Sequence, residues 1–253
     1  MSYLSDAVDW LLPHKCDICG QTADVTADDI PGYKDLYSRI YHEQPGLHMC
    51  RKCLSHLTPV EGSKGWSLCL SNPYDGDPYP QLALYAPFPY DDICEFAIPK
   101  IKFDGKKEIA RFFGIILGQR IRENDIAVDL VVPVPLSSQR LEERGFNQAE
   151  EIALPVAYAT EAPLRTDVLV RKVNTERQTE LKDNESRVRN VRGVFEVAPE
   201  WEVEGLTVIV VDDVATTGAT LHEAAAALLD NGASKVLCVA FASNRTVKNA
   251  ETV

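Results

Sequence analysis

Val208-Ile209-Val210-Val211-Asp212-Asp213-Val214-Ala215-Thr216-Thr217-Gly218-Ala219-Thr220-Leu221 is the stretch on which the fold turns. Residues 208–211 are all β-branched and apolar, as in a strand covered on both faces of a parallel sheet. Two adjacent carboxylates, Asp212 and Asp213, close the run, and a turn of small and hydroxyl residues follows. Residues 221–230 have the alanine and leucine content of a helix, which Asn231-Gly232 ends. Strand, acidic pair, Thr-Thr-Gly turn and helix make a phosphate-site layout. Backbone N–H groups of the turn and of the helix start suit a monophosphate, Gly218 lets the backbone come close, and Thr216, Thr217 and Thr220 can add hydroxyl donors. The carboxylates repel phosphate and suit sugar hydroxyls or a magnesium ion beside them. An ordinary buried strand running into a helix would explain 208–211 but gives no reason for two acids at its end. A Walker loop is excluded, because no Gly-Lys-Ser/Thr follows, and a dinucleotide turn would need three glycines where this one has a single Gly218.

Working upstream, Asp129-Leu130-Val131-Val132-Pro133-Val134-Pro135-Leu136 reads as another buried strand whose prolines end its hydrogen-bonding capacity. Arg140, Arg144, Gly145, Phe146, Asn147 and Gln148 follow, then a helix over about 147–158. Residues 169–170 are a short strand and 236–242 a last one, so helix and strand alternate as in an α/β fold with a parallel sheet. Ligands bind such sheets beyond the carboxyl ends of the strands. The ends of 208–211 and 130–134 therefore face one crevice, where the acidic pair meets the Arg140 and Arg144 region. Helical spacing also marks 91–101 and 106–122, and 82–85 reads as a strand.

The first 80 residues differ from the rest. They hold five of the seven cysteines and four of the five histidines. Cys16-x-x-Cys19 and Cys50-x-x-Cys53 are two knuckles, and together they supply the four sulfurs of a closed structural zinc site. The 30 residues between Cys19 and Cys50 exceed the common zinc-ribbon spacing of about 15–20, so the spacer forms a loop or subdomain of its own. Four reduced thiols without metal are the alternative, and His14, His48 and His56 stand near enough in sequence to replace a ligand. Cys69, Cys94 and Cys238 stand alone, the last in an apolar strand. Residues 9–12 read as a short helix end and 71–80 as a linker, which divides the chain into domains 1–80 and 81–253.

No apolar run reaches the roughly 20 residues of a membrane span, so no membrane insertion is expected. The start, Met1-Ser2-Tyr3-Leu4-Ser5-Asp6, lacks the features of a secretory signal, which makes a cytoplasmic location the expectation. The formal charge of -12 argues against the whole chain being a nonspecific nucleic-acid binder. Its one basic stretch, 171–192, begins with Arg171 and Lys172 and carries seven Lys/Arg against four Asp/Glu. It reads as a cationic flap over a leaving pyrophosphate, or as a solvated surface with ion pairs. Single-stranded nucleic acid is a further candidate, without interleaved aromatics to stack bases.

The acidic pair and Thr-Thr-Gly turn resemble the signature of type I phosphoribosyltransferases, which bind phosphoribosyl pyrophosphate (PRPP). Val-Pro-Val-Pro-Leu at 132–136, Arg-Gly-Phe-Asn-Gln at 144–148, Thr175-x-x-Gln178-x-x-Leu181 with Arg187, and the 212–218 turn are together similar to the ComF family. The Lys102-Phe103 segment is similar to a fourth block, and the cysteine knuckles to that family's N-terminal zinc module. The resemblance implies a type I phosphoribosyltransferase-like parallel sheet flanked by helices, a small N-terminal four-cysteine zinc module, and magnesium with PRPP. It implies ribose contacts, and with them the catalytic site, at Asp212 and Asp213. The 5′-phosphate would sit on 214–218, with a pyrophosphate loop around Pro133, Val134, Pro135 and Leu136. Such proteins are linked to competence for DNA uptake. The family often carries a second cysteine pair near Cys69, which has no partner two residues away here, so one zinc is expected. The reaction implied is transfer of phosphoribose with release of pyrophosphate to an unidentified acceptor. A PRPP-sensing or DNA-binding adaptor working with single-stranded DNA or competence-machinery proteins is the second reading. A salvage enzyme is the third, and the zinc module and the Arg-Gly-Phe-Asn-Gln block argue against it.

Overall fold

The computed structural model describes residues 13–57, 68–71, 79, 81–123, 126–172 and 193–244. The helix end expected at 9–12, most of the linker and the basic stretch from 173 onward lie outside them. Strands are β1 (Leu68–Ser71), β2 (Gln81–Tyr85), β3 (Phe88–Pro89), β4 (Leu130–Pro133), β5 (Leu169–Arg171), β6 (Phe195–Val197), β7 (Thr207–Ala215) and β8 (Lys235–Ser243). Helices are α1 (Tyr33–Tyr41), α2 (Arg51–Ser55), α3 (Asp92–Phe103), α4 (Lys107–Arg122), α5 (Ser138–Arg144), α6 (Gln148–Thr160) and α7 (Ala219–Asp230). No helix among the described residues is long and apolar enough to cross a membrane.

The main sheet runs β1-β2-β8-β7-β4, with β3 also on β8. β2, β3, β7 and β4 are parallel to their neighbours, and only the edge strand β1 pairs antiparallel, on β2. The apolar run 208–211 is fully buried because successive side chains enter two different cores. Ile209 and Val211 join Phe112, Phe113, Ile152 and Ala153 beneath α4 and α6. Val208 and Val210 join Leu221, Ala224 and Leu228 beneath α7. Phe241 of β8 stacks on Phe113 with ring centroids 3.6 Å apart.

Helices α4 and α6 approach closely because Gly114 and Gly118 offer no side chain to the contact. A Cβ on Gly118 would lie 2.7 Å from the Pro155 carbonyl oxygen, and one on Gly114 would lie 2.8 Å from that of Ile152. Pro155 sits inside α6 and has no N–H to give the Glu151 carbonyl one turn back. The Tyr41 hydroxyl donates to that carbonyl instead, at 2.9 Å.

The long cysteine spacer folds into a 3-10 turn, Ala27–Asp29, and helix α1. Tyr33 meets Phe112 edge-on at 5.2 Å, and the Tyr37 hydroxyl donates to Glu108 at 2.7 Å. Arg111 gathers Glu151 at 2.8 Å, Glu43 at 3.1 Å and Glu108 at 3.2 Å, so the N-terminal residues and the sheet's helices share one core.

Two expectations are corrected. The strand at 169–170 does not extend the parallel sheet: β5 pairs antiparallel with β6 in a separate two-stranded sheet, Leu169 opposite Val197. Only one of its three residues is buried, as suits a ribbon covered on one face. The strand at 208–211 does not stop at the acids either. β7 continues to Ala215, because β8 runs alongside it and pairs Asp212 with Ala240 and Ala215 with Ser243.

Candidate functional site

The carboxyl ends of β4 and β7 lie side by side, Pro133 opposite Val211. Beyond them opens a cavity of about 480 Å³. Its floor is Asp212 and Asp213, and the Thr-Thr-Gly turn and α7 give one wall through Val214, Thr216, Thr217 and Thr220. Val134, Pro135 and Leu136 after β4 line it, with Arg140, Arg144 and Arg171 around the rim. So the residues expected to meet do meet. Pro133, Ala215, Gly218 and Lys172 are not in the lining; Lys172 pairs instead with Glu196 at 3.6 Å.

Local rules explain the placement. Gly218 stands in the left-handed region, φ 76°, which turns the chain from β7 into α7, a conformation that costs glycine little. Gly218 has no side chain to cap the helix, whose N-terminal dipole favours an anion. Thr217 Oγ accepts from the Ala219 N–H at 3.3 Å. The Ser243 hydroxyl donates to the Ala215 carbonyl at 2.8 Å and holds the end of β7 to β8.

The Arg-Gly-Phe-Asn-Gln block is a joint between two helices. Gly145, φ 73°, ends α5, and buried Asn147 caps α6 by accepting from the Ala149 N–H at 3.0 Å. The Asn147 amide also donates to the Val134 carbonyl at 3.0 Å, which fixes the segment after β4. Arg144 donates to Gln148 at 3.0 Å and so is held at the cavity edge.

Electrostatics single out the acidic pair. The Asp213 N–H donates to Asp212 at 2.8 Å. Asp213 is 3% exposed, and its Oδ2 lies 2.8 Å from the Lys102 ammonium at the end of α3. The Asp212 carboxyl is pushed up to about 7, first by burial and then by the charge of Asp213, with Lys102 opposing. Burial lowers the pKa of Arg144, its cationic neighbour Arg140 adds to this, and the acidic pair opposes it.

Sequence reasoning leaves Tyr90, Ile98, Lys102, Gln148 and Ala219 out of the site, although they line the cavity. Lys102 has a readable signal, a cation at the end of an apolar-faced helix inside the Lys102-Phe103 block. Tyr90 and Ile98 come from the β3–α3 region and are placed only by tertiary folding.

A second candidate centre is the cysteine cluster. The four sulfurs of Cys16, Cys19, Cys50 and Cys53 lie within 4.8 Å of one another, Cys19 and Cys50 at 3.6 Å. A tetrahedral zinc with bonds of about 2.3 Å separates its sulfurs by roughly 3.8 Å, so the set fits that ion. The Cys53 N–H donates to Cys50 Sγ at 3.4 Å, a backbone contact that orients the sulfur within its knuckle. Among the described residues no histidine joins the cluster. His14 and His48 instead stack on each other at 3.9 Å. The acidic pair has no third carboxylate or other metal-ligating side chain close by among those residues, so it fits magnesium only as one contact of an ion held largely by substrate oxygens.

The sheet, with two acids and a Thr-Thr-Gly turn at the carboxyl end of β7, belongs to a phosphoribosyl transferase domain. The sequence profile of that domain matches residues 108–251, more than half of the chain. The chain is 33% identical over 195 residues to DNA utilization protein YhgH of Salmonella typhimurium, covering 75% of this chain and 82% of that protein. It is 33% identical over 148 residues to competence protein ComFC of Bacillus subtilis, covering 57% of each. Among solved structures it is similar to the allosteric regulatory enzyme of purine biosynthesis, at 26% identity and a TM-score of 0.36 over 52% of this chain and 25% of that one. The chain therefore belongs to the ComF family of proteins with a phosphoribosyl transferase domain.

Proposed function

We propose that the cavity binds PRPP, or another ribose 5-phosphate compound, and transfers phosphoribose to an acceptor with release of pyrophosphate. One observation carries this: a single cavity gathers an acid pair, a phosphate turn and three arginines. The ribose hydroxyls donate to Asp212 and Asp213, the 5′-phosphate takes the turn from Val214 to Gly218 with Thr220, and the pyrophosphate faces Val134, Pro135, Leu136, Arg140, Arg144 and Arg171. Magnesium arriving with PRPP supplies charge neutralisation at the pyrophosphate. The chain's own part is to orient the sugar and exclude water, and the rim arginines stabilise the departing charge. No protein nucleophile is needed. The four-cysteine module holds one structural zinc, and a cytoplasmic location fits the reading. The competence-linked relatives favour a second reading, in which the same pocket serves as a PRPP sensor or DNA-binding adaptor in DNA uptake. Calorimetric titration with PRPP and magnesium tests the pocket, and pyrophosphate release across a panel of acceptors separates the two readings.

A further inference from the structure

The acidic pair already has a cation. Lys102 Nζ stands 2.8 Å from Asp213 Oδ2, a contact whose side chains are 25% and 5% exposed. That oxygen is buried and receives no hydrogen bond of good geometry, so what it meets is the ammonium charge itself. Lys102 comes from the last turn of α3, whose buried neighbours Ile98 and Ile101 anchor the turn in the core. The groups facing the pair are Lys102 from α3, Arg140 and Arg144 from α5, Arg171 from β5, and the neutral Tyr90 and Cys94 on the α3 side. Among the described residues, only Lys102 comes within ion-pair distance of either carboxylate. A divalent ion bound by the protein alone would need several oxygen ligands, and those residues give the pair no third one.

We propose that Lys102 is the resident cation of the acidic pair, a positioning residue that fixes the Asp213 side chain and lets the site take a ribose 5-phosphate without a divalent metal. The inference rests on reading the cavity as a ribose-phosphate site. A ribose diol donates two hydrogen bonds and needs acceptors, which the fixed pair supplies. With Lys102 gone, nothing at contact distance offsets the mutual repulsion of the two acids, and Asp213 loses its anchor. Metal then becomes useful to the site only where the pyrophosphate of PRPP brings it.

The test is calorimetric titration of the full chain with ribose 5-phosphate, in EDTA and in excess magnesium, at neutral pH. The wild type is expected to bind equally in both media. Lys102→Met is expected to bind roughly tenfold more weakly in EDTA, about what the loss of one charged contact costs. Lys102→Arg is expected to restore the wild-type affinity. Wild-type binding that requires magnesium overturns the role of Lys102 and leaves the cavity reading standing, and this arm needs no variant. Binding in neither medium overturns both. A folded Lys102→Met with wild-type affinity in EDTA overturns the proposal, and Lys102→Gln serves as its replacement if the methionine variant fails to fold.

Discussion

Gly118→Ala tests the packing that holds the cavity's helical wall. An added Cβ meets the Pro155 carbonyl oxygen at 2.7 Å, the Pro155 carbonyl carbon at 3.1 Å and the Ala159 Cβ at 3.3 Å. An ordinary contact begins near 3.4 Å, so α4 and α6 must part by about 0.7 Å, and the obstacle is backbone that no rotamer change removes. Overpacking of this kind costs about 1–3 kcal/mol. Alanine returns up to about 1 kcal/mol through helix propensity, so the net loss is roughly 1–2 kcal/mol. Thermal unfolding followed by circular dichroism should show a Tm lower by some 2–8 °C, at about 2–4 °C per kcal/mol for a chain of this size. Gly46→Ala is the control, because nothing lies within 4 Å of its added Cβ. A Gly118→Ala protein as stable as the wild type would refute the close α4–α6 approach, and with it the position of Gln148 and Asn147 at the cavity.

Tyr41→Phe removes the donor to the Glu151 carbonyl and should cost about 1–2 kcal/mol in urea unfolding; in a Pro155→Ala background, where a backbone N–H replaces the phenol, the loss should shrink. Asp212 supplies a pH dependence of stability. Its folded pKa is raised above the unfolded value of about 3.9, so the folded state binds the proton more tightly. The group therefore costs nothing at low pH, costs progressively more as pH rises from the unfolded value towards about 7, and carries its full cost above that. Asp212→Asn should thus raise Tm at pH 8, by the equivalent of roughly 1–3 kcal/mol, and lose that advantage near pH 4; a Tm difference independent of pH would contradict the raised pKa. Native mass spectrometry should find one zinc per chain, lost in Cys16→Ser or Cys53→Ser with destabilisation of the N-terminal residues; a folded, metal-free wild type would remove the zinc assignment.

What is legible in the sequence has local causes. Residues 208–221 carry their own period, charge and turn chemistry, and each cysteine pair makes its knuckle within four residues. The meeting of β4 and β7 follows from a rule about parallel sheets. Helix α1 escapes the sequence reading although Tyr33, Leu36, Tyr37, Ile40 and Tyr41 repeat at helical spacing, because aromatics have weak helix propensity and the spacer reads first as a loop between knuckles. The pairing of β5 with β6 joins strands that flank the 173–192 stretch, and no short-range pattern announces it. Lys102 reaches Asp213 across 111 positions of sequence, so their contact is visible only once α3 lies against the sheet.

The measurement closest to the central claim is calorimetric titration of PRPP with magnesium into the wild type and into the Asp212→Asn/Asp213→Asn double variant. The account predicts saturable one-to-one binding to the wild type and its loss in a variant that is still folded and still carries zinc. Undiminished binding by the variant, or none by a folded wild type, would contradict the assignment of the acidic pair and the turn beside it to a ribose phosphate.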